Sequence, residues 1–401
     1  MKKVVVTGLG VVSSIGIGKD DFLKNLIKGV SGIRRVALFD TAHFKRHYAG
    51  EISNFNPSDF IPSEILPFIG RASLFSLVAG KLAFKDAGIK ESEIRKKKTT
   101  ILMGTTMAEA GIYDFSSELL FKEKWNGVTN TLLLNAFTAS IPRNLGYILK
   151  LRGRNFLLPD ACAAGNYAIS YGYDLIRKGD ADLVIAGGSE ALSRVAFQGF
   201  QRLYAMAPKK CRPFDKNRKG MLLGEGAGIL ILEEEKHAKS RKANIYAEVL
   251  GYGLSSDAYH MTIPKKEGIE KAMKKAITKS NISIRDIGYI SAHGTGTVQN
   301  DKNESLAIKE VLGKHYRKVP VSSIKSMLGH CMGAASAVEA IACCLSIKES
   351  VIPPTINYKT PDPECDIDCV PNKARKATVK VALSNSFAFG GNNCCVVFGK
   401  G

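Results

Sequence analysis

Three features of the sequence predict an α/β fold of stacked layers. The chain has 401 residues, 45% of them hydrophobic, and 38 glycines, enough to bury a large core and to form two similarly sized halves. Apolar, β-rich runs alternate with segments of helical period, the pattern of strands layered against helices. The charged stretch Glu233 to Lys242 divides the chain, which sets the expected halves at 1–240 and 241–401; an exposed helix is its other reading. No low-complexity tract or plain repeat is visible.

Taken in order, Met1-Lys2-Lys3 leads into the apolar run from Val4. A clear small-residue cleavage site does not follow, so the run reads as a first strand and not as a signal peptide. Asn155 to Pro159 reads as a strand and Tyr167 to Ile176 as a helix. Between them lies Asp160-Ala161-Cys162-Ala163-Ala164-Gly165, which puts a cysteine among very small side chains near a helix N-terminus. Unpaired N–H groups and the helix dipole there favour a thiolate; an inert core cysteine is the bland reading. His293 sits in Ser291-Ala292-His293-Gly294-Thr295-Gly296-Thr297 and His330 in Lys325-Ser326-Met327-Leu328-Gly329-His330. Both are expected to be offered from strand ends or loops into a cleft, with glycines thinning the backbone for ligand approach. Asn385 to Asn393 forms a third loop, with Phe387 and Phe389 ahead of Gly390-Gly391. Core phenylalanines on a strand connection would explain it equally well.

No stretch is long and apolar enough to span a membrane. Nine cysteines, two pairs of them adjacent, fit a reducing cytoplasm. Cys365 and Cys369 make one short pair, weak evidence for zinc, and no metal is expected. The formal charge is +20, yet no nucleic-acid motif accompanies it.

Together these segments resemble the β-ketoacyl-[acyl carrier protein] synthases, elongating condensing enzymes of the thiolase superfamily, most closely the type II synthases of fatty-acid elongation. The likeness runs along nearly the whole chain, from Val4 to Ser13 through Gly187-Gly188-Ser189-Glu190, Arg212-Pro213-Phe214-Asp215, Gly224-Glu225-Gly226-Ala227-Gly228 and Ser255-Ser256-Asp257-Ala258 to Val351 to Asn357. It implies a thiolase-like fold of two related halves in five αβαβα layers. It also implies a decarboxylative Claisen condensation of malonyl-carrier protein with an acyl chain held on Cys162.

In that scheme Cys162 is the nucleophile, and His293 and His330 stabilise the enolate. The N–H groups of Cys162 and Phe389 form the oxyanion hole, and Lys325 and Glu304 form a supporting charge pair, although either alone reads as a solvated surface charge. Thr295 and Thr297 bind the pantetheine arm. Phe387 and Phe389 gate the site, and Met107 and Phe200 line the acyl pocket, places where apolar residues are also ordinary core. The resemblance implies no cofactor of the chain's own, substrates carried on the phosphopantetheine of an acidic acyl carrier protein, and a homodimer. A heterodimer with a chain-length partner is the alternative, in a type II polyketide or polyene ketosynthase.

Other classes fit less well. Initiating synthases use Cys-His-Asn, degradative thiolases carry a second cysteine where this chain has Phe389, and papain-like hydrolases lack paired Gly-rich histidine loops. A noncatalytic chain-length partner would typically lack the nucleophile. Two departures from the family pattern stand out. Asp160 replaces the usual Thr, on the same side as Cys162 if the strand continues, where it would need a hydrogen-bonding or cationic partner. Thr106-Met107-Ala108-Glu109 replaces a small Gly-rich stretch, and both changes are expected to reshape the pocket toward a functionalised chain.

Overall fold

A computed structural model describes residues 2–90, 94 and 97–401. Ten strands carry the architecture: β1 (Val4–Ser13), β2 (Thr99–Gly104), β3 (Gly153–Leu158), β4 (Leu183–Glu190), β5 (Gly226–Glu234), β6 (Ala247–Ser256), β7 (Ile287–Ser291), β8 (Val321–Ser322), β9 (Val381–Phe387) and β10 (Asn392–Gly399). They lie in the order β8-β7-β9-β10-β6-β1-β5-β4-β2-β3.

The order hides a repeat that the sequence does not show. In one half, β2 runs parallel to both β3 and β4, β4 is antiparallel to β5, and β5 is antiparallel to β1. In the other, β7 runs parallel to both β8 and β9, β9 is antiparallel to β10, and β10 is antiparallel to β6. The halves meet where Val4 to Val6 pair with Ala247 to Val249.

Seven helices complete the layers: α1 (Arg71–Ala87), α2 (Ala110–Phe121), α3 (Ser140–Ile148), α4 (Ala164–Lys178), α5 (Lys266–Ser280), α6 (Val298–Leu312) and α7 (Ala335–Glu349). On one outer face α1 packs on β1 and β5, with α3 beside it; on the other, α5 packs on β6 and β10 and is backed by α6. Between the sheets lie α4, against β4, β2 and β10, and α7, against β5 and β9. This is the five-layered thiolase-like arrangement.

The middle layer dictates its own composition. Every residue of α7 from Ala335 to Ile347 is buried, as a helix with sheets on both sides requires. Its Ala, Ser and Cys side chains keep the layers close. A Cβ on Gly165 would lie 2.6 Å from the Ala337 amide nitrogen, so α4 and α7 touch backbone to backbone there. Both helices begin at turns that matter: Cys162 precedes α4, and His330 precedes α7 at the matching place in the repeat.

The charged stretch Glu233 to Lys242 begins inside β5. Glu233 is fully buried, held by Thr7, His237 and Arg241, and a short helix covers Glu235–Ser240. Cys365 and Cys369 are both buried in the core of the second half.

Candidate active site

Strand β3 ends at Leu158, and Cys162 sits in the 3-10 turn Ala161–Ala163 that leads into α4. Ala161 takes φ of +47°, a left-handed conformation that costs a non-glycine residue on the order of 1 kcal/mol. The strained turn presents the sulfur at the head of the helix, and Ser386 Oγ fixes it from behind by donating to the Cys162 carbonyl at 2.9 Å. Helix position does not make the resting sulfur a thiolate. Burial pushes the thiol up to about 11, against the lowering influence of Lys325 and of the Phe389 N–H directed at it.

His330 follows β8 through the one-turn helix Lys325–Leu328, so its loop does not spring directly from a strand end. Its Nδ1 accepts from the Met332 N–H at 3.1 Å. The proton therefore resides on Nε2, the nitrogen offered to the cavity. His293 lies two residues beyond the end of β7, as expected. Glu304, on α6, accepts from the His293 and Gly294 N–H groups at 2.8 Å each, holding that loop by its main chain.

One reactive atom each from Cys162, His293 and His330 lie within 4.8 Å of one another. The histidine rings meet edge to face at 5.3 Å. Burial holds both well below the usual histidine value, with Lys325 acting in the same sense, so both are neutral hydrogen-bond donors near pH 7. A soft metal could use the same three atoms. A cavity of about 480 Å³ opens on the trio, walled by Thr295, Thr297, Phe200, Phe387 and Phe389. Thr295 and Thr297 hydroxyls bond each other at 2.9 Å, Phe389 stacks on Phe200 at 5.7 Å, and Phe387 packs its ring against His293 at 5.9 Å.

Comparison with known proteins gives the family. The Beta-ketoacyl synthase, N-terminal domain matches residues 1–238, and the Beta-ketoacyl synthase, C-terminal domain matches residues 246–359. The chain belongs to the β-ketoacyl synthase family. It is 38% identical over 411 residues to 3-oxoacyl-[acyl-carrier-protein] synthase 2 of Staphylococcus aureus (strain COL), covering 100% of this chain and 98% of that one. Among solved structures, the ishigamide ketosynthase/chain length factor superposes with a TM-score of 0.97 at 41% identity, over 100% of this chain and 99% of that one. AntDE:AntF, a type II polyketide-synthase acyl-carrier protein in complex with its ketosynthase bound to the hexaketide, gives 0.90 at 33% identity, over all of both chains. This β-ketoacyl synthase is thus a condensing enzyme of the acyltransferase type.

Several expectations for the synthase need correction. Lys325 and Glu304 do not form an ion pair: Lys325, 1% exposed, pairs with Glu339 of α7, a residue that nothing in the local sequence marks. Burial raises Glu339 and Glu304 each to about 7. Met107 does not itself line the cavity, but packs in a cluster with Phe197 and with Phe200, which does. Glu109 does not face the pocket either, since its carboxylate accepts from the Ala72 and Ser73 N–H groups at 3.2 and 2.6 Å and so caps the N-terminus of α1. Asp160 does not continue the strand, with φ −92° and ψ 40°, so alternation does not place it beside the sulfur. Its half-buried carboxylate has no hydrogen bond or ion pair among the described residues, and burial raises its titration point.

Proposed function

We propose that the chain is a 3-oxoacyl-[acyl carrier protein] synthase acting in fatty-acid elongation. The observation that carries it is the convergence of the Cys162, His293 and His330 reactive atoms on one cavity. Cys162 Sγ attacks the acyl thioester of the carrier's phosphopantetheine; the thiol proton passes to the departing pantetheine sulfur, and the acyl chain stays on Cys162. His293 and His330 then donate to the malonyl thioester carbonyl. Loss of carbon dioxide leaves an enolate, whose carbon attacks the Cys162 thioester. The N–H groups of Cys162 and Phe389 receive the tetrahedral oxyanion, and collapse releases the 3-oxoacyl product and the Cys162 thiolate, which takes up a proton from solvent to restore the thiol. One oxyanion donor is worth about 3 kcal/mol.

An acidic carrier protein fits the cavity mouth. Lys219 stands on its rim beside exposed Leu203 and Tyr204, and Lys209, Lys210 and Arg212 line an adjoining groove. Lys45, Arg46 and Arg202 line another. Exposed apolar residues beside edge strand β3, with Phe156 against Tyr171, support a dimer. All nine cysteines are free and buried, in keeping with a cytoplasmic setting. A second reading, a type II polyketide ketosynthase paired with a chain-length partner, draws on the close match to the ishigamide structure.

Purified enzyme is tested with malonyl- and acyl-carrier proteins. Cys162→Ala abolishes condensation and keeps malonyl decarboxylation, while His293→Ala and His330→Ala each lower decarboxylation about 100-fold. Full condensation by Cys162→Ala would refute the scheme. Mass spectrometry of the acyl group trapped on Cys162, in wild type and Asp160→Thr, separates the pathways: saturated chains throughout mean fatty-acid elongation, and unsaturated or oxygenated chains mean specialised metabolism.

A further inference from the structure

Glu190, the last residue of β4, is fully buried, has no ion-pair partner among the described residues, and plays no part in the chemistry above. Its carboxylate nevertheless receives four hydrogen bonds. Oε2 accepts from the Thr106 N–H at 2.6 Å and the Gly333 N–H at 3.0 Å; Oε1 accepts from the Met107 N–H at 3.0 Å and the Thr105 hydroxyl at 3.1 Å. A carboxylate offers about four acceptor positions, so this one is saturated. Such a set costs much to desolvate and is held together only while every donor stays in place.

The donors belong to two separate loops. One is the Thr105 to Met107 turn after β2; the other is the turn Met332–Ala334, just beyond His330. The loops touch directly, for a Cβ on Gly333 would lie 2.4 Å from the Thr105 backbone. Met332 is itself strained, at φ +45°, and it is the Met332 N–H that occupies His330 Nδ1. A continuous line of contacts therefore runs from Glu190 through Gly333 and Met332 to the ring that faces Cys162.

We infer that Glu190 is a positioning residue for the condensation: its carboxylate clamps the strained Met332-Gly333 turn to the Thr105 to Met107 loop and thereby sets the His330 ring against the substrate carbonyl. The inference rests on the role proposed for His330. Glu190→Gln keeps the shape and replaces an acceptor oxygen by an NH2 group facing N–H donors, so the turn loses a tether while the cavity wall stays intact.

Malonyl decarboxylation is measured on wild type, His330→Ala, Glu190→Gln and Thr105→Val, with thermal unfolding alongside. In folded Glu190→Gln, kcat falls about 10-fold or more and KM for malonyl-carrier protein stays within about 2-fold, the mark of an interaction expressed in the transition state. Thr105→Val, which deletes one of the four donors and leaves the carboxylate, gives a smaller fall in kcat of about 3-fold and decides the matter if Glu190→Gln does not fold. A wild-type kcat in either folded variant, or a loss confined to KM, overturns the clamp. A His330→Ala enzyme that decarboxylates like wild type instead overturns the role of His330.

Discussion

At the scale of single residues, the site depends on neutral groups kept neutral by burial. Cys162 is a thiol at rest, raised by burial to about 11 against the lowering pull of Lys325 and the Phe389 N–H. Both histidines stay uncharged because a proton on either would be buried beside Lys325, whose ammonium is engaged by Glu339. This has a measurable cost. The unfolded chain takes up a proton on each histidine near pH 6.5 and the folded chain does not, so stability is lost as pH falls through that value, by at most about 1.4 kcal/mol per pH unit for each histidine. Buried Glu190, Glu304 and Glu339, raised to about 7, act in the opposite sense and cancel in a comparison with His330→Asn. Urea unfolding between pH 7.5 and 5.5 is expected to show wild type losing ground to His330→Asn as pH drops. A difference independent of pH would mean that His330 takes up its proton as readily in the folded enzyme as in the unfolded chain.

At the scale of elements, turns and helix ends place the chemistry. Positive φ at Ala161 and Met332 ends the approach to α4 and α7 abruptly and turns Cys162 and the His330 loop into the same space. The head of α1 is finished from a distance by Glu109, because Gly70, its N-cap, has no side chain to do so. Glu109→Gly strips acceptors from two buried N–H groups and is expected to lower unfolding free energy by about 2 kcal/mol, as read from the denaturant midpoint. The chain-length profile of the products stays unchanged. A shifted profile at full stability would restore Glu109 to the acyl pocket.

At the scale of the whole molecule, a net charge of +20 and the cations gathered around the cavity mouth set up a long-range positive field, to which the proposed function assigns the recruitment of an acidic carrier protein. The apparent affinity for carrier-bound acyl chains is expected to weaken as salt rises from 0.05 to 0.5 M, on the order of 10-fold, while acyl groups on free pantetheine show much less dependence. Titrating both substrates across that range checks it; equal slopes would leave the charge with no role in recruitment.

What the sequence determined by itself was the trio of side chains that converges on the cavity and the layered fold. Cys162, His293 and His330 lie in contiguous motifs of small and glycine residues, and the requirements of such turns are local. The aromatic and threonine walls were legible for the same reason. Glu339, Glu190 and Glu109 were not, since a buried carboxylate takes its meaning from whichever donors the packed layers bring to it, and those donors lie 14 residues from Glu339, 83 to 143 from Glu190 and 36 or 37 from Glu109. Asp160 misled through the opposite error: strand alternation was extended one turn too far, past the point where Leu158 ends β3. Only the tertiary structure decides which charges are buried and with whom, because desolvation is a property of the assembled core and leaves no periodic trace along the chain.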